Sequence, residues 1–382
     1  MIKVMHVITD LDMGGAEVML AKLIGATDLS RFNPSILSLK RKGAVAGQIE
    51  RLGVPILELN LNHPFSSPRA ILKLRAVLSR QRPELIQGWM YHGNLAASIL
   101  HFLNANGPPV IWNIRHSLNR LNQEKIFMRL LIRMGAVFSK SPAAIIYNAQ
   151  ISLKQHAAAG YFSEKAHVIP NGFDLERFRP DPDTRQKVRS QLGVPENGIL
   201  IGLIARYNPM KDHVNFLRAA SLVARKRANV RFLLVGRDVD TPSSGLAGMI
   251  DALGLKGRVT CLGERPDVAP LYAALDIASL SSAYGEAFPN VIGEAMSCCV
   301  PCVATDVGDC RRLVGNTGII VPAKDPRALR KGWEKMIDMG SVARDNLGLK
   351  ARKRIREKFT ISKIAGQYED LHKRVFDSQN LL

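Results

Sequence analysis

Thirteen short apolar runs, each long enough for one buried strand, alternate with helix-length amphipathic stretches along these 382 residues. In the first half the runs are 3–8, 35–39, 56–59, 85–89, 110–114, 144–147 and 167–169. In the second they are 199–205, 231–235, 258–262, 277–280, 301–304 and 318–321. Unbroken apolar runs read as strands covered on both faces, and strands separated by helices read as parallel sheets. The expected class is therefore α/β, built from two doubly wound parallel-sheet domains of Rossmann-like form. Pro170-Asn171-Gly172-Phe173-Asp174, followed by Pro180, Pro182 and Asp183, reads as turn and linker between them. This gives domains at 1–170 and 171–360. Basic residues 350–358 and then 361–376 read as helical, and 361–382 is expected to pack back on the N-terminal domain. Two such domains facing each other put a ligand in a central cleft, at the carboxyl ends of their strands.

The composition, 46% hydrophobic and 23% charged, is that of a globular protein with large cores. No run approaches the ~18 apolar residues of a spanning helix, and Met1-Ile2-Lys3-Val4 leads straight into a strand. The expected location is cytoplasmic, peripheral at the inner face of the cell membrane. All five cysteines fall between Cys261 and Cys310, an odd set that favours free thiols. Cys299-Val300-Pro301-Cys302 lacks the second pair of a zinc site. The net charge is +20, densest in residues 1–165, where 20 Lys/Arg face 9 Asp/Glu. Arg69, Lys73, Arg75, Arg80 and Arg82 fall in one predicted helix; Lys125, Arg129, Arg133 and Lys140 fall in another, apolar-rich one at 124–140. Basic amphipathic helices suit an anionic membrane surface, a solvated face being the alternative. No nucleic-acid motif is present, and nucleic acid is not an expected partner.

Ser281 to Met296 carries the clearest chemistry. Glu286 and Glu294 stand eight residues apart, a poor joint site on one continuous helix. Pro289 suits a first helical turn, so a helix is expected to start there, with Glu286 in the loop before it and Glu294 inside it. A helix N-terminus binds anions. Two carboxylates beside it suit a phosphate that carries hydroxyls, which is a sugar nucleotide.

Other residues fit the same ligand. Gly14-Gly15-Ala16-Glu17 follows the first strand and opens a helix, letting a ligand approach backbone N–H groups. Arg206 ends a strand and Lys211 follows five residues on, a pair suited to a diphosphate. His116 closes the run 110–116. Asp10/Asp12, Asp181/Asp183 and Asp238/Asp240 share no context, so no metal is assigned. Neither a phosphate-binding G-x-x-x-x-G-K-[ST] loop nor a G-x-S-x-G elbow occurs.

Together these residues resemble the retaining GT-B glycosyltransferases of family 4, over nearly the whole chain. Glu286 to Glu294, continuing through Cys298 to Pro301, is similar to that family's E-x7-E motif, and Val168 through Asp174 with Phe178-Arg179-Pro180 to its linker. The resemblance implies that Glu286 holds hydroxyls of the donor sugar, Glu294 the ribose, and Arg206 and Lys211 the diphosphate. It implies that Gly14 and Gly15 approach donor phosphate and sugar, that His116 faces the reacting centre, and that Glu264 and Arg265 border the base. Phe288, Pro289, Asn290 and Val291 complete the implied donor site. The catalytic set is then His116, Glu286, Arg206 and Lys211. The implied reaction is hexosyl transfer with retention, using a nucleotide-sugar donor and no metal or other cofactor. Cys299, where the family often has glycine, and Asp309, in place of a second glycine after Gly308, depart from the pattern. Val307-Gly308-Asp309, Gln87 to His92 and Arg115-His116-Ser117 look more like surface-polysaccharide transferases, implying a glycan or lipid-linked acceptor bound by the N-terminal domain. Sugar-nucleotide epimerisation, transfer to a soluble acceptor and a non-catalytic basic membrane-binding module are the competing readings.

Overall fold

The computed structural model describes residues 1–61, 68–104, 107–118, 121 and 124–380, without the side chains of 68, 69 and 380. The Arg69 side chain, expected among the cations of its helix, therefore lies outside the described residues. The chain folds as two compact units, Met1–Gly172 with Ile361–Leu382, and Phe173–Thr360.

The first unit holds one parallel sheet of β1 (Ile2–Ile8), β2 (Phe32–Ser38), β3 (Ile56–Glu58), β4 (Leu85–Trp89), β5 (Val110–Ile114), β6 (Ala144–Tyr147) and β7 (Ala166–Val168). Their order is β3-β2-β1-β4-β5-β6-β7. Helices cover both faces, so β4, β5 and β6 are buried throughout, the polar Gln87 and Asn113 included. One face packs Met19, Leu20 and Leu23 of helix Gly15–Ala26 with Ile364, Tyr368 and Leu371 of the last helix. The other packs Leu95, Leu100, Leu131 and Ile132.

β2 starts at Phe32, not after Pro34 as the sequence suggests. Proline lacks the N–H a central strand needs. Ile36 N–H donates to Pro55 O on the β3 side, so the Pro34 nitrogen two residues earlier faces that side too. There β3 has not begun, because its register starts at Ile36 opposite Ile56. Pro34 thus costs no ladder bond. Arg82 also departs from expectation: its helix ends at Gln81, and Arg82 sits beyond it with φ +44°.

The second unit holds β8 (Ile199–Ile204), β9 (Val230–Val235), β10 (Val259–Leu262), β11 (Ile277–Leu280), β12 (Cys302–Thr305) and β13 (Gly318–Val321). The order β10-β9-β8-β11-β12-β13 is again Rossmann-like and all parallel. Phe216, Phe232 and Trp333 cluster on one face, and the buried Trp333 indole donates to Ser279 Oγ at 3.1 Å. In each sheet the winding reverses once, between β1 and β4 and between β8 and β11. Ligands of open α/β sheets bind outside the carboxyl ends of the strands at such a reversal.

Candidate active site

In the second unit, Arg206 and Lys211 follow β8 and Glu286 follows β11, so all three flank the reversal point. Lys211 ends a short 3-10 turn, Pro209–Lys211, whose start is capped by Asn208 accepting from Met210 N–H at 3.0 Å. Asp212, with φ +48°, then caps helix His213–Ala224 through Asn215 N–H. The β11 loop is fastened to this turn: Ala283 N–H donates to Met210 O at 2.8 Å, and Ser281 Oγ to Lys211 O at 2.8 Å. These bonds bring Lys211 Nζ to 2.5 Å from Glu286 Oε1, which also accepts from Ser282 Oγ at 2.6 Å. Glu286 is buried, and so is most of Lys211. A paired, hydrogen-bonded carboxylate tolerates such burial; an isolated one does not.

The loop cannot relax away. Gly308 has φ +64°, and a Cβ there would strike the carbonyl oxygen of Glu286. Asp309 N–H donates to Ala287 O at 2.8 Å, and Thr305 Oγ1 to Ser282 O at 2.8 Å. Asp309, the departure from the family glycine, faces Arg312 at 3.4 Å. The following helix is Asn290–Ser297, with Pro289 as its N-cap. Glu294 rides on it and accepts from the buried Tyr272 hydroxyl at 3.2 Å. Phe288 packs inward against Phe173 and Phe359, so what it offers a ligand is backbone. Arg206 is exposed. Glu264 is held by Arg237 in a two-pronged pair at 3.1 and 3.2 Å, and Arg265 is exposed beside it. The structure thus joins Lys211 to Glu286, two residues expected to have separate duties. It adds Ser282 as a holder of Glu286, Tyr272 of Glu294 and Arg237 of Glu264. No sequence signal marks Tyr272 or Arg237, which meet their partners only through the fold.

The cysteines are all free thiols. Burial pushes Cys298 up to about 12 and raises Cys302 and Cys310 too, leaving little thiolate for redox chemistry.

In the first unit, Gly14 caps helix Gly15–Ala26, and a Cβ built on Gly15 meets nothing within 4 Å. The N-terminus of this helix is thus open at Gly15. A Cβ on Gly14 would strike the Glu17 carboxylate, which folds back over the turn. Burial raises the Glu17 pKa, and Asp10 and Asp12 push it the same way. Asp10, Asp12 and Lys40 line a cavity of about 480 Å³ beyond β1 and β2. Among the described residues no group of three or more metal-ligating side chains forms. His116 follows β5, half-buried, with Nε2 3.7 Å from Glu124 Oε1. Burial lowers its pKa, which Glu124 partly offsets. Its Nδ1 lies 3.2 Å from the Tyr91 hydroxyl. Arg115 beside it donates to Tyr368 Oη at 3.1 Å and to Asn171, fixing the turn after β5.

Residues 13–177 match the family model described as Glycosyltransferase Family 4, and residues 198–339 match that described as Glycosyl transferases group 1. The D-inositol 3-phosphate glycosyltransferase of Mycolicibacterium paratuberculosis is 34% identical over 165 residues, covering 41% of this chain and 36% of the relative. That of Segniliparus rotundus is 27% identical over 248 residues, covering 63% of this chain and 53% of the relative. The chain therefore spans about a third to a half of the length of the curated relatives it matches. Anabaena HepE, solved in complex with UDP, superimposes with a TM-score of 0.85 at 23% identity, over 98% of this chain and 100% of that one. Sucrose-phosphate synthase of Thermosynechococcus elongatus superimposes at 0.81 and 18% identity, over 99% and 100%. The fold is GT-B, with two Rossmann-like domains.

Proposed function

We propose that this chain, a glycosyltransferase of the family 4 type whose two halves each match a family model, transfers a hexosyl group from a nucleoside diphosphate sugar to a glycan or lipid-linked hydroxyl acceptor with retention, in surface-polysaccharide synthesis. The observation that carries the reading is the fastened Lys211–Glu286 pair at the β8/β11 reversal, with Arg206 just beyond the end of β8. Diphosphate charge is met by Arg206, by Lys211 and by the N-terminus of helix Asn290–Ser297. Glu286 accepts from sugar hydroxyls and Glu294 from ribose hydroxyls. Gly14 and Gly15 admit the donor phosphates and sugar close to backbone N–H groups, and Glu264 and Arg265 border the base. The bond from the anomeric carbon to phosphate oxygen breaks, and the acceptor oxygen bonds to that carbon on the same face. The acceptor's proton passes to the departing diphosphate. The cations stabilise the charge developing there, and no metal or other cofactor is required. HepE has been solved with UDP and with UDP-glucose, so uridine diphosphate sugars are the first donors to try.

The acceptor side falls to the first domain. Helix Ile126–Phe138 turns Leu131, Ile132 and Gly135 to the core and leaves Ile126, Phe127, Leu130, Met134, Val137 and Phe138 exposed, with Arg129 and Arg133 alongside. Such a face suits an anionic membrane surface and, with it, a lipid-linked acceptor at the inner face of the cell membrane. No described helix is long and apolar enough to cross a membrane. Transfer to a soluble phosphorylated polyol is the second reading, favoured by the names of the curated relatives.

The test is donor turnover by Arg206→Ala and Glu286→Gln. Alanine at 286 would leave the Lys211 ammonium unpaired in a mostly buried place, so glutamine is the cleaner change. Each is expected to lower kcat/KM by about a hundredfold or more at unchanged melting temperature. Near-normal turnover in both would sink the site. Lipid extracts and inositol phosphate as competing acceptors decide between the two readings.

A further inference from the structure

The surroundings of His116 contain a hydrogen-bond chain that the proposed reaction does not use. His156, on helix Gln150–Ala158, is wholly buried, and its Nδ1 lies 2.7 Å from Ser152 O. A carbonyl oxygen only accepts, so Nδ1 carries the proton. Burial and the nearby His116 pull the His156 pKa down to about 4, against the help of the Ser152 bond, and the ring is neutral at pH 7. Its Nε2 is then bare and accepts from the Tyr91 hydroxyl, 2.8 Å away. Burial raises the Tyr91 pKa well above its ordinary value, so that hydroxyl keeps its one proton. With the proton committed to His156, Tyr91 Oη can only accept from His116 Nδ1 at 3.2 Å. Ser152 closes the loop: its Oγ donates to His116 O at 2.8 Å.

We propose that Tyr91 and His156 are positioning residues that lock His116 as the Nδ1–H tautomer, leaving a bare Nε2 to accept a hydrogen bond from a substrate hydroxyl. The direction of the whole chain is set by one backbone carbonyl. A neutral imidazole in water favours the proton on Nε2, so without the chain His116 would present a donor instead of an acceptor. Three groups face His116: Glu124, from the segment before helix Ile126–Phe138, which raises its pKa; Tyr91, from helix Met90–Phe102, which meets its Nδ1; and His156, whose pKa His116 lowers in turn. Glu124, at 3.7 Å from Nε2, lies beyond hydrogen-bond distance; its charge favours a proton on Nε2, and the chain through Tyr91 acts against it. The proposal rests on the reading, implied by the resemblance, that His116 faces the reacting centre.

The experiment is ¹⁵N NMR of histidine-labelled protein, with kinetics of the same variants. Wild type is expected to show His116 protonated at Nδ1 and bare at Nε2 when neutral. His156→Leu frees the Tyr91 proton, which then points at His116 Nδ1 and drives the ring to the Nε2–H form. That variant should lose about tenfold or more in kcat, with the donor KM nearly unchanged and an altered pH profile. His156→Gln keeps an accepting oxygen and should restore tautomer and rate. Tyr91→Phe provides the same comparison should the leucine variant fail to fold. An Nε2–H His116 in wild type, or a tautomer switch without change in kcat, overturns the proposal. The spectra need no donor or acceptor, so they are read independently of turnover. Absence of transfer by wild type would instead count against the proposed function.

Discussion

Cys299 illustrates how one residue can carry a measurable strain. Helix Asn290–Ser297 ends with Val300 N–H bonded to Ala295 O at 3.0 Å and Cys299 N–H to Met296 O at 3.2 Å. That pattern needs a left-handed residue at Cys299, whose φ is +60°. Glycine takes this conformation freely, whereas a side chain costs about 1 kcal/mol there, slightly offset by the greater freedom of glycine in the unfolded chain. Cys299→Gly should therefore stabilise the fold by about 0.5–1 kcal/mol, read as a rise in chemical or thermal midpoint; a lower midpoint would contradict it. The sequence flagged this position by its departure from a family glycine, and the backbone supplies the reason. Lys211 and Glu286 show the opposite case. Their residue types were legible as ligands for phosphate and hydroxyl, but not that they would meet, since 75 residues separate them.

At the scale of elements, helix Ile126–Phe138 is apolar almost all round in sequence, so periodicity alone could not say which side packs. Placed on a helix at about 100° per residue, the six exposed apolar residues span an arc of about 120°. Arg129 and Arg133 fall along one edge of that arc, and no ion pair among the described residues takes them up. A contiguous exposed apolar stripe of this kind marks a docking face. The expected result is sedimentation with phosphatidylglycerol-containing vesicles, weak binding to pure phosphatidylcholine, and loss of the apolar contacts, and with them most of the binding, in Leu130→Ser/Val137→Ser. Retained vesicle binding in that double variant would assign the membrane contact elsewhere. Val342→Ser/Leu349→Ser, which alters exposed apolar residues of helix Gly340–Lys358, serves as the control.

Across the whole molecule, titration is unevenly distributed. His6, His156 and His372 are all buried in the first unit, with pKa values lowered by burial to about 3, 4 and 4. Each folded value lies below the unfolded 6.5, so the unfolded chain binds more protons between them. Their contribution is complete above the unfolded value and is lost as pH falls through that window. Each histidine should cost about 2 kcal/mol between neutrality and pH ~5. His213 adds the same tendency in the second unit, where burial lowers it to about 4. The first unit should therefore melt first on mild acidification, seen as two separated calorimetric transitions whose lower one moves with pH. A His372→Gln variant should flatten that dependence; an unchanged slope would reject the assignment.

The sequence by itself determined the alternation of strands and helices, because buried parallel strands are predominantly apolar runs and Gly and Pro punctuate them. It therefore placed the strands within a few residues, and the start of the helix at Pro289. Strand order, the reversal points and every long-range pairing were decided by tertiary structure alone: the Lys211–Glu286 pair, the Tyr272–Glu294 bond and the His116–Tyr91–His156 chain. Local pattern is a property of neighbours along the chain. Hydrogen bonds between side chains are set by which strand ends the winding of the sheet brings together, and no single segment encodes that.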